Sequence, residues 1–364
     1  MPPILIGSEI YRRASFGGGH PLAIPRVSAA LDLIRALGAL DPACYRDSPR
    51  ATIDQLARFH DPTYLALLER AERDPVSVTE AERQRYRIGI DGNPIHDRIF
   101  SRPATACGGT LLAVDLLAEG GVVYNMGGGT HHGRADRASG FCYLNDAVLG
   151  ILALLDRGVA RVLYVDLDAH HGDGVQDALS HDQRVRIVSI HEAGRWPHTG
   201  AADDRGGGFA LNLPVPAGFN DTELAHLVEA VLVPLARQFQ PEALVLQCGL
   251  DALADDPQSR LALSNGAVWG AVRRLKGLAP RVLVLGGGGY NPWSVARGWA
   301  GLWLTLNELP IPERLGPAAE AVLRGLIWRH SRGRTPPEAW FTTLADPPLP
   351  GPLRDAVRRV AARA

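Results

Sequence analysis

Five times between Val122 and Leu285 the chain passes through a short apolar run, leaves it by a loop carrying polar residues, and moves on toward a helix-patterned segment. No other feature limits the fold as tightly. The runs are Val122 to Met126, Val162 to Val165, Val185 to Ile190, Val245 to Gln247 and Val282 to Leu285. Asn145 to Leu155, Asp221 to Arg237, Asn265 to Leu275 and Trp293 to Leu306 carry apolar residues at helical spacing. Strands alternating with helices predict a mostly parallel sheet, because parallel neighbours need crossovers, and the crossover helices cover both faces. Such sheets bind ligands outside the carboxyl ends of their strands. That is where this chain keeps its chemistry. His131 and His132 follow the first run, Asp166 to Asp173 the second, His191 the third, Asp251 the fourth, and four glycines with Tyr290 the fifth. One site can collect them all.

The densest stretch is RVLYVDLDAHHGDG, Arg161 to Gly174. Strand alternation predicts Asp166, Asp168 and His170 on one face, with His171 and Asp173 on the other until the glycines turn the chain. Two carboxylates and an imidazole on one face need either a cation or shifted pKa values to coexist. Asp168, His170 and Asp251 make a three-ligand set for one zinc with a position left open. Asp166 and Asp173 can each orient one imidazole of His131 and His132, which are candidate bases. Tyr290 is a donor for an oxyanion opposite the metal. Together these residues describe a metal-assisted amide hydrolase. A histidine pair in a glycine-rich loop is, alone, usually a solvated turn, and a run of glycines is usually a tight connection. Polar clusters after every strand outweigh those readings. GGGTHHG fits neither GxGxxG nor GxxxxGK[ST], so a phosphate loop is set aside.

Ahead of the repeated unit, Pro3 to Ile6 reads as a strand and Ser15 to Pro25 as a glycine- and proline-rich loop holding His20. Arg26 to Leu37, Asp54 to Phe59, Pro62 to Arg70 and Ala104 to Leu117 read as helices, and Asp91 to Pro94 as an exposed turn. No internal boundary is visible: residues 1–331 form one catalytic domain, and the proline-rich segment 332–364, with a short basic helix at Leu353 to Ala362, packs on it. Formal net charge is −1, so no basic footprint speaks for nucleic acid, and no apolar run reaches membrane-spanning length. The N-terminus lacks the basic region of a signal peptide. Cys44, Cys107, Cys142 and Cys248 are widely spaced with no CxxC, so neither a disulfide framework nor a thiolate zinc site is suggested, and a reduced, cytoplasmic setting is the default expectation.

Four segments, GHPLAIPR, GGGTHHGRADRASGFCYLNDAVLGIL, RVLYVDLDAHHGDGVQDAL and LVLQCGLDALADDP, together with LGGGGYNPWSVARGW, resemble the zinc-dependent histone deacetylases. The likeness is strongest to the class I branch and to bacterial relatives of the acetoin-utilisation type. It implies the arginase–deacetylase fold, a single α/β domain with a central eight-stranded parallel sheet and helices on both faces. By the same resemblance Asp168, His170 and Asp251 hold zinc, His132 is the general base, His131 its electrostatic partner, and Tyr290 the catalytic tyrosine, with Asp166 and Asp173 behind the histidines. Gly140, Phe141 and Trp196 line an acyl-lysine tunnel, Asp91 and Gln258 stand at its rim, and Arg26 and Cys142 belong to an inner acetate cavity. One structural potassium site is implied at Asp166, Asp168, His170, Ser189 and Ile190, and a second at Leu179, Asp182, Val185 and Phe209. The implied substrate is an acylated protein or peptide. An acylated small amine is the alternative, and a catalytically silent metal-binding protein is the alternative of another class. Trp196 stands where phenylalanine is usual, Gln258 where leucine or methionine is usual, and Leu250 where alanine is common. His198 interrupts the usual PGTG. These departures bear on substrate choice more than on chemistry.

Overall fold

Eight strands form one all-parallel sheet: β1 (Ile4–Gly7), β2 (Tyr45–Asp47), β3 (Gly121–Asn125), β4 (Val162–Asp166), β5 (Val185–Glu192), β6 (Ala210–Val215), β7 (Ala243–Gln247) and β8 (Arg281–Leu285). Their order across the sheet is β2-β1-β3-β8-β7-β4-β5-β6. This is a computed structural model, and it describes residues 2–13 and 15–364. Side chains alternate between two apolar layers, as the pleat requires. Leu163 and Val165 of β4, Leu244 and Leu246 of β7, and Val282 and Val284 of β8 enter one layer. Val162 and Tyr164, Ala243 and Val245, and Leu283 and Leu285 enter the other. Burial on both faces explains why these strands read as unbroken apolar runs.

The strands that lack such runs are at the edges. β2 is three residues long and mostly exposed, and β6 carries Asn212 and Pro214 within it. A strand with one neighbour tolerates both short length and proline, since half its backbone groups need no sheet partner.

The helix Pro292–Leu306 is buried along its whole length, between the sheet and the helices Val27–Ala36 and Asn265–Leu275. Its indoles are satisfied by carbonyls: Trp299 Nε1 donates to Cys248 O at 3.1 Å and Trp303 Nε1 to Ala39 O at 2.8 Å. The same helix anchors the C-terminal segment. Trp293 stacks on Trp340 with ring centroids 5.4 Å apart, and buried Arg297 stands 2.8 Å from the Asp346 carboxylate. Leu344 and Val357 are fully buried, and the basic helix runs Asp355–Ala361. Among the described residues no helix is long and apolar enough to cross a membrane.

Strand order brings the chemistry together. β3, β8, β7 and β4 are consecutive neighbours, although the chain visits them in the order 3, 4, 7, 8. The loops bearing the tandem histidines, Tyr290, Asp251 and the Asp168–His170 pair therefore leave the sheet side by side, with about 4.8 Å between adjacent strands.

Candidate active site

Strand geometry stops at Asp166, so simple alternation does not carry on through Asp168 and His170. Two successive aspartate turns replace it: Asp168 N–H donates to Asp166 Oδ1 at 3.2 Å, and His170 N–H to Asp168 Oδ1 at 3.0 Å. These turns separate Asp166 from its two neighbours and place His170 Nδ1 3.1 Å from Asp168 Oδ1 and 3.0 Å from Asp251 Oδ2. The three groups offer ligand atoms within 4.8 Å of one another, all buried. Ala169 N–H donates to Asp251 Oδ1 at 2.8 Å and ties the two loops together. Burial and the Asp168 charge push the Asp251 carboxyl up to about 6. Burial would lower the His170 imidazole, but the Asp251 and Asp168 carboxylates outweigh it and raise it to about 10. Such a donor set, two crowded carboxylates facing one imidazole nitrogen, fits a divalent cation. Gly288 permits the close approach: a Cβ there would lie 2.2 Å from Asp251 Oδ2 and 2.8 Å from Asp168 Oδ2.

His131 and His132 both lie buried beside this set, with ring centroids 3.9 Å apart. His131 Nδ1 bonds Asp166 Oδ2 at 2.8 Å, and His132 Nδ1 bonds Asp173 Oδ1 at 2.7 Å. In each ring Nδ1 therefore carries hydrogen toward a carboxylate, leaving Nε2 free to work. Their environments then diverge. Burial would lower His131, but Asp166 and Asp168 outweigh it and hold the ring at about 9. Burial and the adjacent His131 charge depress His132 to about 4 against the pull of Asp173. Their surroundings thus favour the charged form at His131 and the neutral form at His132. Tyr290, buried among Asp251 and Asp168, has its hydroxyl pushed well above the usual phenol range and stays a donor.

Comparisons with known proteins show the family. The family profile for the histone deacetylase domain matches residues 20–306. The chain is 36% identical over 309 residues to "Histone deacetylase RPD3" of Saccharomyces cerevisiae, covering 83% of this chain and 71% of that protein. It is 38% identical over 282 residues to "Histone deacetylase 8" of Xenopus tropicalis, covering 75% and 76%. The solved structure of an HDAC homologue from Aquifex aeolicus superposes with a TM-score of 0.94 at 34% identity, over 100% of this chain and 99% of that one. An HDAC homologue complexed with SAHA matches equally well. The chain belongs to the histone deacetylase family. That membership supports a hydrolase of the deacetylase type.

In this histone deacetylase family member, a cavity of about 60 Å³ lies over the metal-type set, lined by His131, His132, Phe141, Cys142 and Tyr290 among others. The Phe141 ring stands edge-on to Tyr290 with centroids 6.1 Å apart, and Trp196, 41% exposed, stands edge-on to His132 at 4.7 Å. Gly140 (φ 53°) has to be glycine here, since a Cβ would lie 2.4 Å from the Trp196 ring. Arg26 reaches the cavity from behind and donates to Gly287 O at 2.5 Å. Cys142 Sγ contacts Gly140 O at 3.4 Å, and burial pushes its thiol up to about 12. Gln258 lines a separate groove that also reaches Tyr290, and Asp91 is exposed beside Arg87. Ser189 pairs with Asp166 across β4 and β5, and Ile190 follows it. Leu179, Asp182, Val185 and Phe209 cluster at the opposite, amino end of β5. His171 and His191 do not join the cluster: His171 bonds Thr199 and Gln176, and His191 bonds Ser189 and Gly200.

Several supports carried no motif. Gln247 Nε2 donates to Asp168 Oδ2 at 3.0 Å, and Asp256 Oδ2 accepts the Tyr290 N–H at 2.6 Å. Asp146 accepts from Gly129 N, Thr130 N and Thr110 Oγ1, bracing the loop ahead of the histidines. His60 braces its far end, with Nδ1 donating to Arg134 O at 3.0 Å and Nε2 accepting from Asn145 N–H at 3.0 Å. Burial lowers His60 to about 4, so it is neutral when folded. Unfolding frees it to take a proton near pH 6.5. Its contribution to stability is thus complete above about pH 6.5 and falls as pH drops toward 4, by about 3 kcal/mol from this residue alone. Urea unfolding at pH 7 and pH 4.5 measures this, and His60→Gln should flatten part of the slope.

Proposed function

We propose that this chain is a zinc-dependent hydrolase that removes acetyl, or another short acyl group, from lysine side chains of proteins. The observation carrying this reading is the facing of two sets: the histidine pair, each ring fixed by its own carboxylate, and the buried Asp168–His170–Asp251 donors. A zinc ion held by those donors would supply Lewis acidity to the acyl carbonyl and to the attacking water. The lysine methylenes would run past Phe141, beside Tyr290, and Trp196, beside His132, where apolar area is removed from water. His132 takes the water's proton at Nε2, because Nδ1 is committed to Asp173. Oxygen adds to the carbonyl carbon, and the Tyr290 hydroxyl donates to the developing oxyanion. As the carbon–nitrogen bond breaks, His132 returns the proton to the leaving amine, and His131 remains a fixed cation beside the charge.

Potassium is proposed as a structural ion at two positions, one at Asp166, Asp168, His170, Ser189 and Ile190 and a second at Leu179, Asp182, Val185 and Phe209. In the second, Leu179 O, Asp182 O and Phe209 O each accept one backbone N–H, which leaves each a lone pair to offer. The partner is proposed to be an acylated protein or peptide, with neither nucleic acid nor membrane engaged directly.

The test is a panel of acetyl-lysine peptides and acetylated small amines, including polyamines, on the zinc-loaded protein. Higher kcat/KM on the peptides is expected. A preference for the small amines would move the substrate class, and no turnover on either would leave a silent metal-binding protein.

A further inference from the structure

Beside Trp196 at the tunnel mouth runs a groove of about 590 Å³ whose walls hold Arg85, Arg87, Arg134 and Arg137 against one lining carboxylate, Asp91. Arg87 and Asp91 both take left-handed backbone conformations, φ 55° and 49°, and meet in an ion pair. The rim carboxylate is therefore already matched by a cation, which is still 46% exposed. Arg85 and Arg137 share a single carboxylate, Asp136, from which they stand 2.8 Å and 2.9 Å. Each uses one of its five N–H groups there and is about half exposed, at 57% and 45%. Arg134, deeper in the wall, is spent on Asp173 and Asp177. The outer wall thus offers two guanidiniums to one carboxylate, with spare donors, within reach of whatever leaves the tunnel.

Resting on the deacylase reading above, we propose that this groove selects substrates carrying a carboxylate next to the acylated lysine stem. Guanidinium binds carboxylate through paired N–H groups, and rim charges act on recognition by repelling wrong partners as much as by attracting right ones. An acidic neighbour in a peptide and the α-carboxylate of a free acyl-amino acid present the same chemistry. A lysine neighbour or a polyamine stem meets repulsion.

The experiment compares acetyl-lysine peptides with Asp, Ala or Lys beside the acetyl-lysine, and free Nε-acetyl-lysine with its carboxamide, on the zinc-loaded full chain. Asp should exceed Lys in kcat/KM by about tenfold at low ionic strength, mainly through KM, and the ratio should shrink as salt is added. Arg85→Gln combined with Arg137→Gln should bring that ratio toward one, whatever happens to the overall rate. A carboxylate advantage confined to the free amino acid supports the groove and assigns it a small substrate. Equal rates across both arms, or a preference for Lys, overturn the groove's role and leave the deacylase reading standing. Absence of turnover on every substrate sinks both.

Discussion

Asp251→Asn should leave the protein folded, its zinc well below stoichiometric, and its turnover lost. The substitution keeps the shape of the side chain and an amide oxygen for the Ala169 N–H, so the tie between the two loops survives. What it removes is one of two buried negative charges facing the His170 nitrogen. Losing an outer-shell partner typically weakens metal binding by about 10- to 100-fold, and loss of a ligand charge should exceed that. The zinc-free variant carries a second expectation. Asp251 is pushed up to about 6 by burial and by Asp168, which marks the crowding of the pair, so the neutral amide relieves it. The amide also removes the charge that chiefly holds His170 protonated, so the two effects oppose each other in the zinc-free protein, and the rise in Tm on adding zinc should shrink. Metal content after dialysis and thermal unfolding with and without zinc measure both effects. Full zinc occupancy with normal turnover would remove Asp251 from the ligand set.

The central sheet could be read from the sequence because strands buried on both faces leave unbroken apolar runs, as β4, β7 and β8 do. β2 and β6 could not be found by that signal, since edge strands need neither continuous apolarity nor full hydrogen bonding. Placement of chemistry at strand ends was also readable, but not which ends are neighbours. Nothing local in Asp251 or Tyr290 reports that β7 and β8 are inserted between β3 and β4. Alternation misjudged Asp166, Asp168 and His170 for a related reason. Once an aspartate side chain accepts the N–H two residues on, a turn competes with the strand. Supporting residues escaped in proportion to how they act. Gln247, Asp146 and Asp256 lie inside stretches whose other residues stand out, yet they work by bonding loops and ligands, which leaves no spacing to detect. His60, some seventy residues before the loop it braces, had no sequence signal at all.

His132→Ala should lower kcat by about 10²- to 10⁴-fold while zinc stays bound, the usual size of a lost general base. The geometry separates this from its neighbour. Both rings spend Nδ1 on a carboxylate, but burial and the adjacent cation keep His132 unprotonated, whereas Asp166 and Asp168 keep His131 charged. On the proposed mechanism the base is neutral and its partner cationic, so kcat/KM should climb as pH rises through the His132 value and fall as His131 gives up its proton. Depressed to about 4 and raised to about 9 respectively, the two limbs leave a broad plateau between them. A bound dication adds positive charge near both rings, moving both limbs to lower pH and keeping their order. His131→Ala should therefore cost less than His132→Ala at neutral pH and erase the alkaline limb. Tyr290→Phe should cut kcat by about 10²- to 10³-fold with little change in KM and leave both limbs in place, because the phenol stays protonated across the range. An alkaline limb that survives in His131→Ala but vanishes in Tyr290→Phe would assign that limb to loss of the tyrosine's phenolic proton and would remove from His131 the cationic role that Asp166 and Asp168 impose on it.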